Sequence, residues 1–162
     1  MKLKTSYLKG LTFGIASGIV TTLGLMVGLY SGTHSKLAVL GGILTIAVAD
    51  ALSDAFGMHL SEESSEHNNQ PEIWESMIAT FIAKLIIALT FAFPVIFLDL
   101  KIAIYFSFGW ALLLLGVISI LIAGWRKESK AHAIFEHWGI AVAVVIVAYY
   151  VGVLIDKFFG AI

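Results

Sequence analysis

The sequence has no cysteine, two prolines and few charged residues. The lack of cysteine excludes disulfides, thiolate metal sites and cysteine nucleophiles. Only 13% of the residues are charged, against about 25% in a typical soluble domain, which disfavours a soluble enzyme. The formal net charge of −1 provides no basic surface for a nucleic acid partner. GxSxG, Walker A, HExxH and dinucleotide-binding signatures are also missing, so we predict that the chain is neither an enzyme nor an ATP-driven pump.

Hydrophobic residues are abundant instead, at 59% of the 162 residues. A transmembrane helix needs about 20 mostly apolar residues. Five stretches of the chain qualify, at about 11–30, 37–60, 73–98, 102–125 and 133–155. Their connections are short, and the longest is an acidic loop at 61–72. The sequence therefore predicts an all-α integral membrane protein with a single domain, a five-helix bundle in the lipid bilayer.

The basic residues predict the orientation of this bundle, because cytoplasmic loops of membrane proteins carry an excess of Lys and Arg. One side of the predicted bundle carries Lys2, Lys4, Lys9, Arg126, Lys127 and Lys130. The other side carries Lys36, Lys101 and Lys157. This asymmetry predicts an inside N-terminus and an outside C-terminus. The short loops favour the inner membrane of a prokaryotic cell.

Glycine recurs every four residues along the first predicted span. The two series are Gly10, Gly14 and Gly18, and Gly24, Gly28 and Gly32. Small residues at this spacing let helix backbones approach closely in a membrane. The pattern fits packing within one chain and the contact between two chains of a homodimer equally well.

Two carboxylates lie deep in the second span, Asp50 and Asp54. Ionisable residues inside a membrane span are costly and mark functional sites by default. Lys84 in the third span lies at nearly the depth of Asp50, which predicts an Asp50–Lys84 ion pair. Asp54 has no evident basic partner in the sequence, so we expect it to be the carboxylate that carries a transported ion or a proton.

Further acidic and histidine side chains follow at helical spacing towards the predicted inner side. One face of the second helix would carry Asp50, Asp54, Met58, Glu62 and Glu66, and a neighbouring face would carry His59, Glu63 and His67. Carboxylate, imidazole and thioether groups can all bind Fe²⁺ or Mn²⁺. Glu72 and Glu75 begin the third helix, where acidic residues also suit the helix dipole. A weaker candidate series is Glu128, His132 and Glu136, which equally fits an ordinary interfacial start of the fifth helix.

Two segments resemble the vacuolar iron transporter family. Residues 13–29, FGIASGIVTTLGLMVGL, are similar to that family's first-span motif, and residues 49–61, ADALSDAFGMHLS, to its second-span motif. The likeness covers about a third of the chain. It implies a homodimer that exports Fe²⁺ or Mn²⁺ from the cytosol in exchange for protons, without a permanently bound cofactor.

The chain departs from that family at two positions of the transport path. Ser17 stands where the family has an aspartate, and Asp54 stands where the family has a methionine. We therefore expect Asp54 to act as metal ligand and proton site, with the Ser17 hydroxyl facing it. Met58 and Glu62 would form the access path from the inner side. The expected collecting mouth comprises Glu63, Glu66, His67, Glu72 and Glu75, a reduced form of the family's cytoplasmic metal-binding insertion.

Three hypotheses follow from the sequence. The first is a divalent-metal transporter coupled to protons through Asp54. The second is a non-transporting membrane scaffold or subunit, in which the Asp50–Lys84 pair only orders the bundle. The third is a carrier of another cation or small solute on the same fold.

Overall fold

A computed structural model describes residues 5–65 and 69–160 of the chain. The described part is helical apart from short connections, and it contains five helices, each long and apolar enough to cross a membrane. Their bounds are α1 Thr5–Thr33, α2 Lys36–Glu63, α3 Gln70–Phe97, α4 Leu100–Arg126 and α5 Lys130–Phe159. The prediction of an all-α protein with five helices long and apolar enough to span a membrane is confirmed.

Each helix is longer than the apolar span predicted for it, because polar residues outside the apolar stretches begin the helices. The Ser35 hydroxyl accepts a hydrogen bond from the backbone N–H of Ala38 at the start of α2. Asn69 and Glu72 form a reciprocal capping box at the start of α3. Hydropathy detects neither of these hydrogen bonds, so it places the helix starts too late.

The helix that packs against all the others is α1. It runs antiparallel to α2, and the short connections alternate between two ends of the bundle. We call the end where α1 begins the first end; it also contains the α2–α3 and α4–α5 connections. The other end is the second end. This arrangement buries Ser6, Thr22 and Ser31 of α1 between helices, whereas Lys9 and Thr33 are exposed.

The glycines of α1 are used for packing within the chain. A Cβ atom at Gly14 would lie 2.6 Å from the carbonyl oxygen of Thr80 in α3. Near the second end, a Cβ atom at Gly24 would lie 2.9 Å from the Val144 side chain of α5. Intramolecular packing is therefore the alternative that applies to both glycine series. The other alternative, a contact between two chains of a homodimer, stays a prediction.

Apolar and polar interior residues separate along the bundle axis. The large buried apolar side chains lie mainly towards the second end, among them Leu23, Met26, Ile43, Phe91 and Val95. The buried ionisable side chains lie between the middle of the bundle and the first end: Lys84, 1% exposed, is at the middle of α3, and Glu62, 6% exposed, is near the first end. The candidate functional residues of α2 and α3 are therefore distributed from the middle of the bundle to the first end.

Candidate membrane ion site

Four polar side chains from three helices meet within the membrane-spanning part of the bundle. We call Ser17, Asp50, Asp54 and Lys84 the carboxylate–lysine cluster. The Lys84 ammonium lies 2.6 Å from Asp50 Oδ2, contacts Asp54 Oδ2, and donates to Ser17 Oγ at 3.0 Å. The Ser17 hydroxyl in turn donates to Asp54 Oδ2 at 2.6 Å. Every member of the cluster therefore contacts at least one other member directly.

Helical spacing and small neighbouring residues explain why the cluster forms. Asp50 and Asp54 are four residues apart on α2, so they share one face and one ammonium can reach both carboxylates. Ala47, Ala51 and Ala55 are fully buried on the same helix. Because alanine side chains are short, α2 can approach its neighbours closely at this level.

The burial of the cluster is uneven. The side chain of Lys84 is 1% exposed, whereas those of Asp50 and Asp54 are 31% and 22% exposed. An unpaired charge in the bilayer would be costly, by about 3 kcal/mol or more, so the contacts to Lys84 stabilise both carboxylates. The cluster nevertheless has two acidic groups for one basic group, and both acidic groups retain part of their surface outside the chain's own packing.

The structure confirms two of the predicted contacts and corrects one expectation. The Asp50–Lys84 ion pair is present, and the Ser17 hydroxyl faces Asp54. The expectation that Asp54 lacks a basic partner is wrong, because Lys84 contacts it as well. Depth in the membrane matches Lys84 to Asp50 only. A lysine side chain is long enough to contact a second carboxylate one helical turn away as well.

A second ion pair, nearer the first end, joins α1 and α2. Lys9 Nζ of α1 lies 3.2 Å from Glu62 Oε1 of α2, and the Glu62 side chain is 7% exposed. Sequence reasoning missed this pair, although a signal existed. Lys9 precedes Ser17 by eight residues and Glu62 follows Asp54 by eight. Two antiparallel helices in contact at Ser17 and Asp54 must therefore also bring Lys9 opposite Glu62.

The predicted access path follows the face of α2 that carries the cluster. Met58 lies between Asp54 and Glu62 on that face and is half-buried. Glu62 is engaged by Lys9 rather than open to the solution. Between the cluster and the first end, α2 therefore presents a half-buried thioether and a paired carboxylate.

The described members of the predicted collecting mouth each have a contact of their own. Glu63 is exposed and lies 3.9 Å from the Nε2 atom of His59, which packs edge-on against Trp74. Glu72 belongs to the helix cap of α3. Glu75 lines a separate cavity of about 470 Å³ beside Tyr7. Glu66 and His67 lie outside the described residues.

The weaker candidate series near α5 lies at the surface. Glu128 pairs with Arg126 at 2.9 Å, and both side chains are largely exposed. His132 and Glu136 are exposed on the first turns of α5. Its neighbour His137 instead points to the interior: the Ser119 hydroxyl donates to Leu115 and accepts from His137 Nδ1 at 2.6 Å.

Within residues 5–65 and 69–160, no group of three or more His, Cys, Asp or Glu side chains is arranged to hold a metal ion. Among the described residues, the candidate ion site is thus the carboxylate–lysine cluster, with two acidic side chains, and the acidic mouth stays a prediction. Compared with known proteins, the chain matches no family model and no curated protein sequence.

Proposed function

We propose that this protein is a secondary transporter that moves a divalent transition metal across a membrane through the carboxylate–lysine cluster. The observation that carries the proposal is the convergence of Asp50, Asp54 and Ser17 on one buried ammonium inside five membrane-spanning helices. Ionisable groups are retained inside a bilayer mainly where an ion, a proton or a substrate passes. Carboxylate and hydroxyl oxygens are also suitable ligands for Mn²⁺ and Fe²⁺.

The identity of the cargo, the direction and the coupling come from the family resemblance of the first two spans. In this proposal Fe²⁺ or Mn²⁺ leaves the cytosol and protons return. The distribution of Lys and Arg supports a cytosolic first end, and the membrane would be that of a prokaryotic cell. Met58 and Glu62 lie on the side of Asp54 from which a cytosolic ion would arrive.

Asp54 is the central residue of the proposed path. Its carboxylate contacts both Ser17 and Lys84, and 22% of its side chain is exposed. It can therefore exchange one partner for another without the helices separating. We propose that Asp54 ligates the metal and carries the exchanged proton, and that Asp50 assists as second carboxylate.

The resemblance also implies a homodimer, which stays part of the proposal. Because most glycines of α1 pack against α3 or α5, we place the contact with a second copy mainly on other surfaces of the bundle.

One observation favours a second candidate, a non-transporting membrane subunit. Lys84 contacts both carboxylates and is itself almost completely buried. In this second candidate, the network fixes the relative positions of α1, α2 and α3 and has no role in transport. Such a protein would need the cluster for folding but would move no metal.

Transport assays on proteoliposomes distinguish the two candidates. We expect the wild type to move Mn²⁺ or Fe²⁺ with counter-movement of protons, recorded with a metal-sensitive dye and a pH dye. Asp54→Asn should reduce the flux to the level of empty vesicles, because the amide cannot carry the charge. Asp156→Asn, the same chemical change at an exposed position near the end of α5, is the matched control and should leave the flux unchanged.

The result that would overturn the proposal is a folded wild-type protein that moves neither metal. Equal flux in the wild type and in Asp54→Asn would remove Asp54 from the path. Competition between metals in the same vesicles would reveal a carrier of a different cation.

A further inference from the structure

The position of the Lys84 ammonium bears on cation selectivity. It contacts the Oδ2 atoms of both Asp50 and Asp54, and its third contact is the Ser17 hydroxyl. The ammonium therefore occupies the position of a metal ion that would bridge these two Oδ2 atoms. The site already contains a cation, and that cation is attached to α3.

A metal ion cannot share this position with the ammonium. Transition metals bind carboxylate oxygens at about 2.0–2.2 Å, and like charges at such separations repel strongly, above all where the surroundings exclude water. A metal that uses Asp50 and Asp54 together must displace Lys84 from at least one of them. Binding is thus an exchange of cations, and it is favourable only where the carboxylates attract the metal more strongly than they attract the ammonium.

This exchange depends on the charge of the incoming ion. A monovalent ion would lose its hydration and replace one positive charge with another, so it would gain little. A divalent ion brings twice the charge to two carboxylates and gains correspondingly more from them. Discrimination by valence follows from one lysine at this position and requires no change in its protonation.

We propose that Lys84 is a tethered competing cation that lowers the affinity of the cluster for metal and makes it selective for divalent over monovalent ions. The proposal rests on the transport function proposed above and names the residue that sets its selectivity. Low affinity in the resting cluster also favours release, because the returning ammonium displaces the bound ion.

Mn²⁺ binding to the purified full-length protein in detergent tests this role, with free Mn²⁺ measured by electron paramagnetic resonance. Lys84→Met keeps most of the side-chain volume and removes the charge; Lys84→Arg keeps the charge and is the matched control. We expect Lys84→Met to bind Mn²⁺ at least ten-fold more tightly than the wild type, and excess Na⁺ to weaken that binding. Lys84→Arg should bind no more tightly than the wild type, and Na⁺ should have little effect on either.

Equal Mn²⁺ affinity in Lys84→Met and the wild type would overturn the proposal, as would the same increase in Lys84→Arg. Lys84→Met is also expressed and purified with and without Mn²⁺, and its folding is followed by helical circular dichroism. Recovery of folded protein only with Mn²⁺ would support the proposal, since the metal then replaces the ammonium. Failure to fold in both conditions would contradict it.

The flux assay separates failure of this inference from failure of the transport function. Wild-type flux without any increase of affinity in Lys84→Met would reject the tethered cation and retain the transporter. Tight Mn²⁺ binding by Lys84→Met without wild-type flux would retain the competition and reject the transporter.

Discussion

The helices α1 and α2 are adjacent and equally apolar, yet α1 lies at the centre of the bundle and α2 lies at its periphery. Half of the most apolar segment of α1 is buried within the bundle, against 22% of the corresponding segment of α2. The glycines of α1 contact backbone and side chains of α3 and α5, whereas Gly41 and Gly57 of α2 have open space beside them. Hydropathy therefore shows that both helices are apolar enough to cross a membrane and does not indicate which one is central.

The same pair also differs in what it gives to the ion site. Besides Ser17, α1 contributes close packing, while α2 contributes both carboxylates. Because α2 has fewer neighbours, Asp50 and Asp54 retain exposed surface that the centre of the bundle would not allow. The two helices thus have different roles: α1 determines how the helices pack, and α2 carries the two carboxylates of the ion site.

The largest expected loss of stability comes from adding a side chain at a glycine of α1 that packs closely against another helix. A side chain at Gly14 would meet the backbone of Thr80 at 2.6 Å, and backbone cannot move aside as a flexible side chain can. We expect Gly14→Leu to lower the free energy of unfolding by about 3 kcal/mol or more. Thermal unfolding of the purified protein in detergent, followed by tryptophan fluorescence, measures this loss.

Gly57→Leu on α2 is the matched control, because nothing lies within 4 Å of a Cβ atom there. We expect no loss of stability from that substitution, since leucine also favours the helix over glycine by roughly 0.8 kcal/mol. Equal destabilisation by the two substitutions would mean that α1 is not the central helix.

The fold could be predicted from sequence as far as the number, order and approximate position of the helices. Long apolar stretches separated by short polar ones fix those features. The sequence could not show which helix lies in the centre, because helices that are apolar on every side carry no amphipathic pattern to indicate their buried face. The glycines of α1 left two alternatives open for the same reason, since close packing looks identical within a chain and between chains.

We expect an intermediate loss of stability when Ser17, the residue that α1 contributes to the carboxylate–lysine cluster, is replaced. Its hydroxyl donates to Asp54 and accepts from Lys84. Ser17→Ala removes both hydrogen bonds but leaves the ion pairs of Lys84 in place. Hydrogen bonds to charged groups contribute about 1.5–3 kcal/mol, so we expect a loss near the middle of this range in the same unfolding measurement.

Ser53→Ala is the control on α2, next to Asp54 in sequence but on the exposed face. It should leave stability unchanged. A loss as large as that of Ser17→Ala would show that any serine at this depth stabilises the helix, and that the cluster contact of Ser17 is not the cause.

Parts of the candidate site could be predicted because they depend on depth and helical spacing. Depth alone identified the Asp50–Lys84 pair, and the family resemblance placed Ser17 opposite Asp54. The second contact of Lys84 depends on the alignment of α2 with α3, and the Lys9–Glu62 pair depends on that of α1 with α2; neither alignment is encoded in a single helix. Helical spacing alone does not establish a metal ligand either, since Glu72 and Glu63 also form a helix cap and a surface contact.

The smallest expected loss of stability comes from breaking the ion pair of Lys9 and Glu62, which joins α1 and α2 near the first end. The Lys9 side chain is 52% exposed, so water screens the pair and its formation restricts a long side chain. Ion pairs of this kind contribute up to about 1 kcal/mol. We expect Lys9→Gln to lower the free energy of unfolding by about that amount, and the difference from wild type to shrink as salt is added.

The exposed pair of Arg126 and Glu128 provides the control, since 67% and 51% of the two side chains are accessible. Arg126→Gln should have no measurable effect, because both side chains of that pair stay hydrated. The Glu62 side chain, by contrast, is 7% exposed, so the Lys9 pair retains part of its strength in salt. A loss for Lys9→Gln as large as that for Ser17→Ala would place the main polar link between α1 and α2 at the first end of the bundle. A loss indistinguishable from that of Arg126→Gln would leave the carboxylate–lysine cluster as the polar contact that holds these two helices in register.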